Sequence, residues 1–499
     1  MTPSLGAFVL GLYYAVLGVL ALYGSHRLLL VLRCRRPAAG AAAEPAPPDE
    51  WPRVTVQLPL YNEIHVARRL LRAVAGLDYP RDRLEIQVLD DSSDDTRRVV
   101  ADEVAALRAA GVPITHSTRD DRGGFKAGAL AAGLRCARGE LVCVFDADFV
   151  PRADFLRRTV PWFTDPAVGM VQARWGHLNR DFSLLTRVQA LLLDGHFLVE
   201  HAGRHAAGCF FNFNGTAGVW RRQAIADAGG WQADTLTEDL DLSYRAQLAG
   251  WRFVFLPAVV APAELPVELA DFRSQQRRWA QGSAQTARKL LGRVLRSPLA
   301  GRVKAEALVH LTANWSYPLM VVLALLVFPA MLLRRGSGPW QLLLLDAPLF
   351  GAATLSVLVF YSTAQQAQGG RWWRRLARLP ALMGLGIGLS LGNAAAVLTG
   401  AWRDGGTFHR TPKYRVEGVR RPAADRYASR PSLTLALEAL FALYFLLCGV
   451  VACRLGMWLS LPFLALFLHG YATMVALALP RPMRLVSAVA TARRAMLPR

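Results

Sequence analysis

Leu141-Val-Cys-Val-Phe-Asp-Ala-Asp148 is a short apolar run that ends in two carboxylates, and it indicates the fold of the chain around it. Apolar runs of this length are typical of buried parallel strands. Two more such runs and three helical patterns alternate beside it, at 54–58, 64–75, 84–89, 96–110 and 126–137. Strands that alternate with helices predict a doubly wound α/β sheet, in which ligands bind at the carboxyl ends of the strands.

The composition predicts that part of the chain lies in lipid. Of its 499 residues, 53% are hydrophobic and 19% are charged. The formal net charge is +21, but Lys and Arg cluster beside the apolar segments, as is typical of orientation signals at an anionic leaflet. Because no helix-turn-helix, zinc-finger or RNA-binding signature accompanies this charge, we expect no nucleic-acid partner. The six cysteines have neither a Cys-x-x-Cys pair nor a histidine at zinc spacing, so they indicate no disulfide framework and no metal site.

The N-terminal residues 1–36 predict a retained membrane anchor. Their apolar stretch has no charge before it and basic residues after it, which is the opposite of a cleavable secretion signal. We therefore expect the C-terminal end of this anchor to face the cytoplasm. Further apolar stretches lie at about 306–333, 341–363, 382–402, 433–453 and 456–479.

The basic loops decide which of these stretches cross the membrane. If all of them crossed, the basic loop 403–432 and the basic C-terminal tail would lie outside, against the positive-inside rule. We therefore expect 382–402 to be an interfacial or re-entrant helix in a protein with five spans, its N-terminus outside and its C-terminus inside. The predicted organisation is an anchor at 1–36, a linker at 37–52, a soluble domain at 53–268, interfacial helices at 269–305, two spans at 306–363, a cytoplasmic interfacial helix and loop at 364–432, two spans at 433–480 and a basic tail at 481–499.

Asp146 and Asp148 lie two residues apart at a predicted strand end, so both carboxylates can reach one side of a turn. Carboxylate oxygens, completed by phosphate oxygens, suit Mg²⁺ or Mn²⁺. The pair therefore predicts a divalent cation that neutralises a nucleoside diphosphate. The alternative is an ordinary Asx turn after a strand.

Asp90 and Asp91 follow the predicted strand 84–89 and open a turn into a helix. One of the two carboxylates can accept a proton from the base or ribose of a nucleotide, and helix N-capping is the alternative. Lys126 stands at the start of the next predicted helix, where it could meet a diphosphate near the helix N-terminus. An ordinary surface lysine is the alternative for this position.

Asp239 lies in Leu236-Thr-Glu-Asp-Leu-Asp241, just before a helical pattern at 242–249. A carboxylate in a partly desolvated pocket can act as a general base for a hydroxyl. The alternative, that acidic residues favour a helix N-terminus, explains only part of this motif. Further along, Gln275-Gln-Arg-Arg-Trp279 supplies a planar cation that can stabilise a diphosphate and an indole that can stack on a sugar ring. A tryptophan at a membrane interface is the alternative for the indole.

The ordered set of motifs resembles the membrane-embedded family 2 glycosyltransferases of the cellulose and hyaluronan synthase group. In amino-acid sequence, these motifs are most similar to those of the plant cellulose-synthase-like mannan and glucan synthases, the glucomannan 4-β-mannosyltransferase type. The segments that carry the resemblance are 57–63, 87–92, 126–130, 145–149, 171–175, 213–220, 237–239 and 275–279. It extends only loosely into the membrane part.

The resemblance implies a GT-A-type domain that transfers a sugar from a nucleotide donor by a single displacement with inversion. Asp239 would be the catalytic base, and Asp146 and Asp148 would bind the metal ion. The implied donor-nucleotide-binding residues are Tyr61, Glu63, Asp90, Asp91, Lys126 and Asp146. The implied cleft for acceptor and donor consists of Asn214, Gly215, Thr216, Glu238, Gln275, Arg278 and Trp279.

A further resemblance lies at Phe408-His-Arg-Thr-Pro-Lys413, although the sequence of this segment departs from the family pattern. It is similar to the gating loop that closes over the donor nucleotide in cellulose synthase. The resemblance implies a gating-like role for Phe408, Thr411 and Lys413, and a cytoplasmic position for 403–432.

Together these observations predict a multi-pass protein of the cell (inner) membrane with a cytoplasmic catalytic domain. The expected partners are a nucleotide sugar, a growing β-linked glycan that is passed across the membrane, and membrane lipid. UDP-glucose and GDP-mannose both remain open as the donor. One alternative is transfer of a single sugar to a membrane lipid such as ceramide or diacylglycerol. A transporter or scaffold with an inactive soluble block is a second alternative, which the intact carboxylates disfavour.

Overall fold

The structure, a computed structural model, describes residues 3–35, 45–335, 344, 347–407, 410–418 and 433–478. Its central feature is a seven-stranded sheet with the order β3-β2-β1-β4-β6-β5-β7. The strands are β1 Val54–Leu60, β2 Leu84–Asp90, β3 Ile114–Thr118, β4 Leu141–Val144, β5 Val168–His177, β6 Gly218–Arg221 and β7 Arg252–Ala263. The predicted α/β architecture and its three predicted strands are confirmed.

The apolar run at β4 reflects burial on both faces of the sheet. Leu141 and Cys143 pack in one hydrophobic cluster with helices Ala67–Ala75 and Thr96–Ala109. Val142 and Val144 point to the other face and pack in a second cluster with helices Phe125–Cys136 and Glu238–Leu248. A strand that is covered on both sides has no polar face, and this is why the sequence does not alternate there.

The sheet is mixed, whereas the sequence predicts a doubly wound parallel one. β6 runs antiparallel to both of its neighbours, β4 and β5. The chain leaves β5 at the carboxyl edge, remains outside the sheet through helices Leu184–Gly195 and Ala202–Ala206, and re-enters where Gly218 pairs with Val144, the last residue of β4. A strand that enters from the carboxyl edge must run opposite to the parallel strands beside it.

Helices of two kinds surround the sheet. Those of the α/β part are Ala67–Ala75, Thr96–Ala109, Phe125–Cys136, Phe155–Thr159, Leu184–Gly195, Ala202–Ala206, Arg222–Asp227 and Glu238–Leu248, with short turns at Arg81–Arg83, Val160–Thr164 and His196–His201. The others are Pro3–Cys34, Leu269–Arg296, Gly301–Thr312, Ala313–Trp315, Ser316–Leu333, Ala347–Ala367, Trp372–Leu376, Leu379–Gly388, Ser390–Trp402, Leu433–Arg454, Trp458–Ser460 and Leu461–Ala478.

Within the described part of the chain, four helices are long and apolar enough to cross a membrane: Ser4–Cys34, Gly301–Leu333, Leu433–Arg454 and Trp458–Ala478. The predicted span 341–363 falls on helix Ala347–Ala367, and 336–343 and 345–346 lie outside the described residues. The stretch predicted to be interfacial lies in two helices, Trp372–Gly388 and Ser390–Trp402, which bend by 45° where they meet. As one span this pair would bring the candidates to five.

Both ends of this bent pair face the α/β domain. At its start, Arg375 donates to Gln365, and Gln365 in turn donates to Asp194 of helix Leu184–Gly195 (2.9 Å). After its end, Gly405 N–H donates to the carbonyl of Asp234 at 2.8 Å, and Gln285 donates to the carbonyl of Gly405. The pair therefore begins and ends on the same side of the helical part, the side that carries the sheet.

Candidate active site

An open cleft lies at the carboxyl ends of the strands. The sequence-predicted residues that line it are Tyr61, Glu63, Asp91, Lys126, Asp146, Asp148, Asn214, Gly215, Glu238, Asp239, Gln275, Arg278, Trp279, Thr411 and Lys413. These residues come from nearly every motif that the sequence singles out. The fold thus brings together side chains that the chain separates by up to several hundred positions.

Two predicted residues do not line the cleft, and one lies outside the described structure. Asp90 is 1% exposed, accepts from Ser92 N–H at 2.9 Å and contacts His116 at 3.0 Å, so its carboxylate is already satisfied inside the sheet. Thr216 is fully buried, and its hydroxyl accepts from Asp146 N–H at 2.9 Å. It therefore holds the turn that carries Asp146. Phe408 lies outside the described residues.

Each carboxylate of the predicted metal site is paired with a lysine. Asp146 Oδ1 lies 2.5 Å from Lys126 Nζ, and Asp148 Oδ2 lies 2.7 Å from Lys413 Nζ. Lys126 also donates to the carbonyl of Gly215 at 2.9 Å. Burial alone would lower the pKa of Lys126, but Asp146 and Glu238 outweigh it and raise the pKa, so the lysine stays charged. Each of the two carboxylates thus already has a lysine ammonium group beside it.

The donor set fits a divalent cation that shares its ligands with a bound phosphate. Among the described residues, no group of three or more His, Cys, Asp or Glu side chains could hold a metal ion by itself. Asp146 and Asp148 supply carboxylate oxygens on one turn, and hard cations such as Mg²⁺ complete such a shell with substrate phosphates. These two residues are therefore the ones that could hold the ion.

Two arginines that the sequence analysis did not single out lie at the end of the cleft that contains Tyr61 and Asp91. Arg119 binds Asp91 through two hydrogen bonds, one of them 2.9 Å from Nε to Oδ1. The Arg122 guanidinium stacks over the ring of Tyr61, 3.3 Å from its centroid. Only their position just before Gly123 and Gly124 distinguished them in the sequence. The arrangement offers an aromatic plate and fixed charges to a planar, polar ligand.

Asp239 lies in the first turn of helix Glu238–Leu248, which begins earlier than the predicted pattern at 242–249 because three carboxylates favour its N-terminus. Burial, and then the charge of Glu238, raise the pKa of Asp239 to about 7. A side chain on Gly215 would approach Asp239 Oδ2 to 3.1 Å and Lys126 Nζ to 3.3 Å. Gly215 therefore leaves space for a ligand beside a carboxylate that can accept a proton near neutral pH.

The motif at 275–279 lies on helix Leu269–Arg296, which closes one side of the cleft. Gln275, Arg278 and Trp279 all line it. Burial lowers the pKa of Arg278, while Glu238, Asp146 and Asp239 oppose this effect, which places its guanidinium among the carboxylates of the site. The helix thus brings a cation and an aromatic ring to the same point.

Asn214 is held from behind by two histidines. Its amide contacts His196 Nε2 and His201 Nε2, each at 2.9 Å. Both histidines belong to the π-helical turn His196–His201, a rare element that is common at functional sites. Neither histidine was singled out in the sequence, because nothing local marks a turn of this kind.

Residues 410–418 lie against the cleft. Besides the ion pair of Lys413 with Asp148, Arg410 pairs with Glu63 at 3.2 Å, and Tyr414 N–H donates to Glu264 at 2.9 Å. Farther along, Glu417 pairs with Arg69 at 3.0 Å. Burial raises the pKa of Glu63 to about 8, although Arg410 opposes the rise. This segment therefore contacts the α/β domain through polar and charged groups along its length.

The comparisons with known proteins agree with the geometry. Residues 52–282 match the family described as "Glycosyltransferase like family 2". The chain is 44% identical over 275 residues to glucomannan 4-beta-mannosyltransferase 1 of Oryza sativa subsp. japonica, and 43% identical over 281 residues to glucomannan 4-beta-mannosyltransferase 2 of Arabidopsis thaliana. These matches cover 53% and 54% of this chain and 53% of each relative, so the chain spans about half the length of the curated relatives it matches.

A solved structure shares the fold. The mannosyltransferase PcManGT from Pyrobaculum calidifontis in complex with GDP-Man and Mn2+ aligns with a TM-score of 0.51 and 24% identity, over 80% of this chain and 99% of that one. This likeness confirms the predicted GT-A-type fold, and the match of residues 52–282 agrees with the resemblance on which it was based.

Proposed function

We propose that this chain, whose residues 52–282 form a family 2 glycosyltransferase domain, transfers a hexosyl residue from a nucleotide sugar to a growing β-linked glycan. The observation that carries the proposal is the single cleft in which a carboxylate with a pKa near neutrality, a lysine-paired Asp-x-Asp turn and an Arg-Trp pair meet. The two plant relatives are named for mannosyl transfer to glucomannan, which supports a glycan product.

In this mechanism the donor binds across the carboxyl edge of the sheet. Tyr61, Arg122 and Asp91 would take the nucleoside, and Lys126 and Arg278 would stabilise the diphosphate. A divalent cation, Mg²⁺ or Mn²⁺, held by Asp146 and Asp148 would neutralise negative charge on the leaving diphosphate. The named complex of the Pyrobaculum mannosyltransferase with GDP-Man and Mn2+ supports this choice of ligands.

The chemical step is a single displacement. Asp239 removes the proton from the accepting hydroxyl, whose oxygen forms a bond to the anomeric carbon while the bond from that carbon to the diphosphate oxygen breaks. The bonding electrons leave with the nucleoside diphosphate, and the configuration at the anomeric carbon inverts. Trp279 stacks on a sugar ring, and Asn214 and Gly215 border the accepting hydroxyl.

Residues 410–418 act in donor binding as a gating-like segment. Lys413 and Thr411 line the cleft, and Lys413 sits on Asp148, one of the two proposed metal ligands. Binding of the donor with its cation then requires Lys413 to leave this carboxylate, after which its charge is available to the phosphates.

The domain faces the cytoplasm of a cell (inner) membrane protein with five spans. Helix Ala347–Ala367 is the fifth span, and the bent pair Trp372–Gly388 and Ser390–Trp402 does not cross. This topology is supported by the contacts of both ends of the pair with the α/β domain. It is also supported by the position of Lys413, downstream of the pair, in the cleft. The product would pass through the spans, with Trp315, Tyr317, Tyr444 and His469 as candidate contacts along the path.

The test is to incubate the purified protein with a panel of nucleotide sugars, including UDP-glucose and GDP-mannose, and Mg²⁺ or Mn²⁺. We expect nucleotide release from one donor, together with long chains that are protected from added glycanase in vesicles whose exit face is enclosed. The control is Asp239→Asn. A monosaccharide on an extractable lipid would instead establish the alternative, transfer to ceramide or diacylglycerol, and absence of release from every donor would refute the proposal.

A further inference from the structure

Two polar side chains in the wall of the cleft have ring nitrogens with no hydrogen-bond partner among the described residues. These atoms are Nε1 of Trp175 and both ring nitrogens of His177. Both residues line the cleft, and the side chain of His177 is only 1% exposed. Buried polar atoms in folded proteins are nearly always paired, so unpaired ones beside a cleft point to a ligand that supplies the partners.

The sheet order places these atoms on one side of the cleft. Trp175 and His177 are two residues apart at the carboxyl end of β5, so both side chains lie on the same face of the strand. Across the sheet, β2 and β1 precede Asp91 and Tyr61, β4 precedes Asp146, and β5 lies two strands beyond β4. The unpaired nitrogens are thus on the far side of the Asp-x-Asp turn from the proposed nucleoside position.

The surrounding residues hold this wall in place. The indole of Trp175 packs edge-on against Phe149, with ring centroids 5.5 Å apart, and also contacts Phe197. His177 Nε2 lies 3.7 Å from Asp194, which is beyond ordinary hydrogen-bond length. Asp194 is itself fixed by Arg180 at 2.9 Å and by Gln365 of helix Ala347–Ala367 at 2.9 Å. The wall therefore lies where the sheet meets the helical part.

The chemistry of the wall suits a neutral, hydroxylated ligand. An indole N–H donates only, whereas a neutral imidazole both donates and accepts, and a sugar hydroxyl can do the same. Burial lowers the pKa of His177, with Asp194 opposing the effect, so the ring is neutral and offers no charge to an anion. The ring of Trp175, which lines the cleft, adds an apolar surface of the kind on which sugar rings pack.

We propose that Trp175 and His177 form a saccharide-binding subsite for the acceptor glycan. They hydrogen-bond the hydroxyls of a sugar unit that has already been added and hold the chain end for the next transfer. The subsite rests on the proposed function, since a glycan acceptor is what would occupy it. Its position toward the helical part, away from the nucleoside end, assigns it to the acceptor instead of the donor.

Binding of free oligosaccharides tests the subsite without requiring turnover. Mannotetraose and cellotetraose are titrated by calorimetry into the full chain in detergent, for wild type, Trp175→Phe and His177→Leu. We expect each substitution to weaken binding of the better oligosaccharide by about tenfold, because each removes a hydrogen bond from a buried site. His177→Gln, which keeps a donor and an acceptor, should recover part of the loss.

The matched control is Trp231→Phe. The Trp231 indole N–H also has no partner and is buried, but this side chain packs in the second hydrophobic cluster and does not line the cleft. The Trp231→Phe variant should therefore bind the oligosaccharides with the affinity of the wild type. Equal affinities for Trp175→Phe, His177→Leu and wild type would overturn the subsite.

Steady-state kinetics separate an acceptor subsite from the alternatives. In Trp175→Phe the KM for the oligosaccharide acceptor should rise about tenfold, with a much smaller change in kcat at saturating acceptor. A rise in the donor KM alone, or a fall in kcat with unchanged KM, would overturn the assignment to the acceptor. If wild type releases no nucleotide from any donor, the proposed function fails, while the calorimetry still decides whether the subsite binds a saccharide.

Discussion

Lys413 Nζ lies 2.7 Å from Oδ2 of Asp148, although 265 positions separate the two residues along the chain. The ammonium group of Lys413 thus forms an ion pair with a carboxylate that, in the proposed mechanism, binds a divalent cation. The lysine is buried, and although burial alone would lower its pKa, Asp148 raises it, so the pair stays charged. Two cations therefore compete for one carboxylate.

This competition predicts that Lys413→Met binds Mn²⁺ more tightly in the absence of donor. Removing a positive charge at hydrogen-bond distance from a carboxylate should improve the affinity by about tenfold. Calorimetric titration of Mn²⁺ into the purified protein measures it. Lys304→Met, on helix Gly301–Thr312 outside the cleft, is the control. An unchanged or weaker Mn²⁺ affinity in Lys413→Met would contradict the proposed competition.

Asp148→Asn should reduce nucleotide release by roughly a hundredfold or more, because it removes a charged oxygen ligand with little change in volume. The protein should remain folded in membranes, as judged by its thermal unfolding. Asp154, whose side chain is 43% exposed and pairs with Arg152 at 3.3 Å, offers Asp154→Asn as a control with near-normal release. Normal turnover in Asp148→Asn would remove this carboxylate from the mechanism.

Asp239→Asn should lower kcat by about a hundredfold or more, with donor affinity close to that of wild type, because a base acts in the transition state. Single-turnover rates and equilibrium donor binding measure the two quantities separately. If donor affinity were lost while bound donor still turned over, Asp239 would be a binding or structural residue.

The pH profile should report the environment of Asp239. Its pKa is raised to about 7, so kcat should fall as the pH drops through about 7 and the carboxyl group takes up a proton. Glu238→Gln removes the neighbouring like charge, which lowers the pKa of Asp239 and should move this limb to lower pH by about one unit. The exposed Glu140→Gln should leave the profile unchanged. A shift to higher pH in Glu238→Gln would contradict the assignment.

Cysteine labelling tests the topology. In a variant without the six native cysteines, Glu417→Cys should be labelled only after permeabilisation, because Glu417 pairs with Arg69 of the α/β domain. Arg335→Cys follows helix Gly301–Leu333 at the end away from that domain and should be labelled in intact cells. Labelling of Glu417→Cys from outside would make the bent pair a true span.

The sequence predicted three of the seven strands, β1, β2 and β4, because burial on both faces of a strand leaves a local pattern. β4 contains only apolar residues, β1 and β2 contain apolar residues at most of their positions, and each predicted strand ends within a few residues of the observed one. The carboxylates at strand ends were found for the same reason, since a charge that directly follows a buried strand must lie at the sheet edge. Helix Glu238–Leu248 begins earlier than predicted. Hydrophobic periodicity does not detect a first helical turn that consists largely of acidic residues.

Contacts between distant segments left no such mark. Asp90 and Asp91 are equivalent in the sequence, yet one is buried against His116 and the other lines the cleft beside Arg119. Trp175 and His177 are candidates for ligand binding because they line the cleft with ring nitrogens that lack a partner among the described residues. No local sequence pattern indicates this.

By itself, then, the sequence determined three strands of the sheet, several apolar helices and the carboxylates that could carry the chemistry, because burial and charge at a strand end are local properties. Only the tertiary structure decided which charges meet: Lys126 with Asp146, Lys413 with Asp148, and Arg69 with Glu417. It also decided that β6 runs antiparallel to its neighbours. The physical reason is that an ion pair or a strand partner is selected by how packed elements approach one another, and segments hundreds of residues apart approach only once the whole chain has folded.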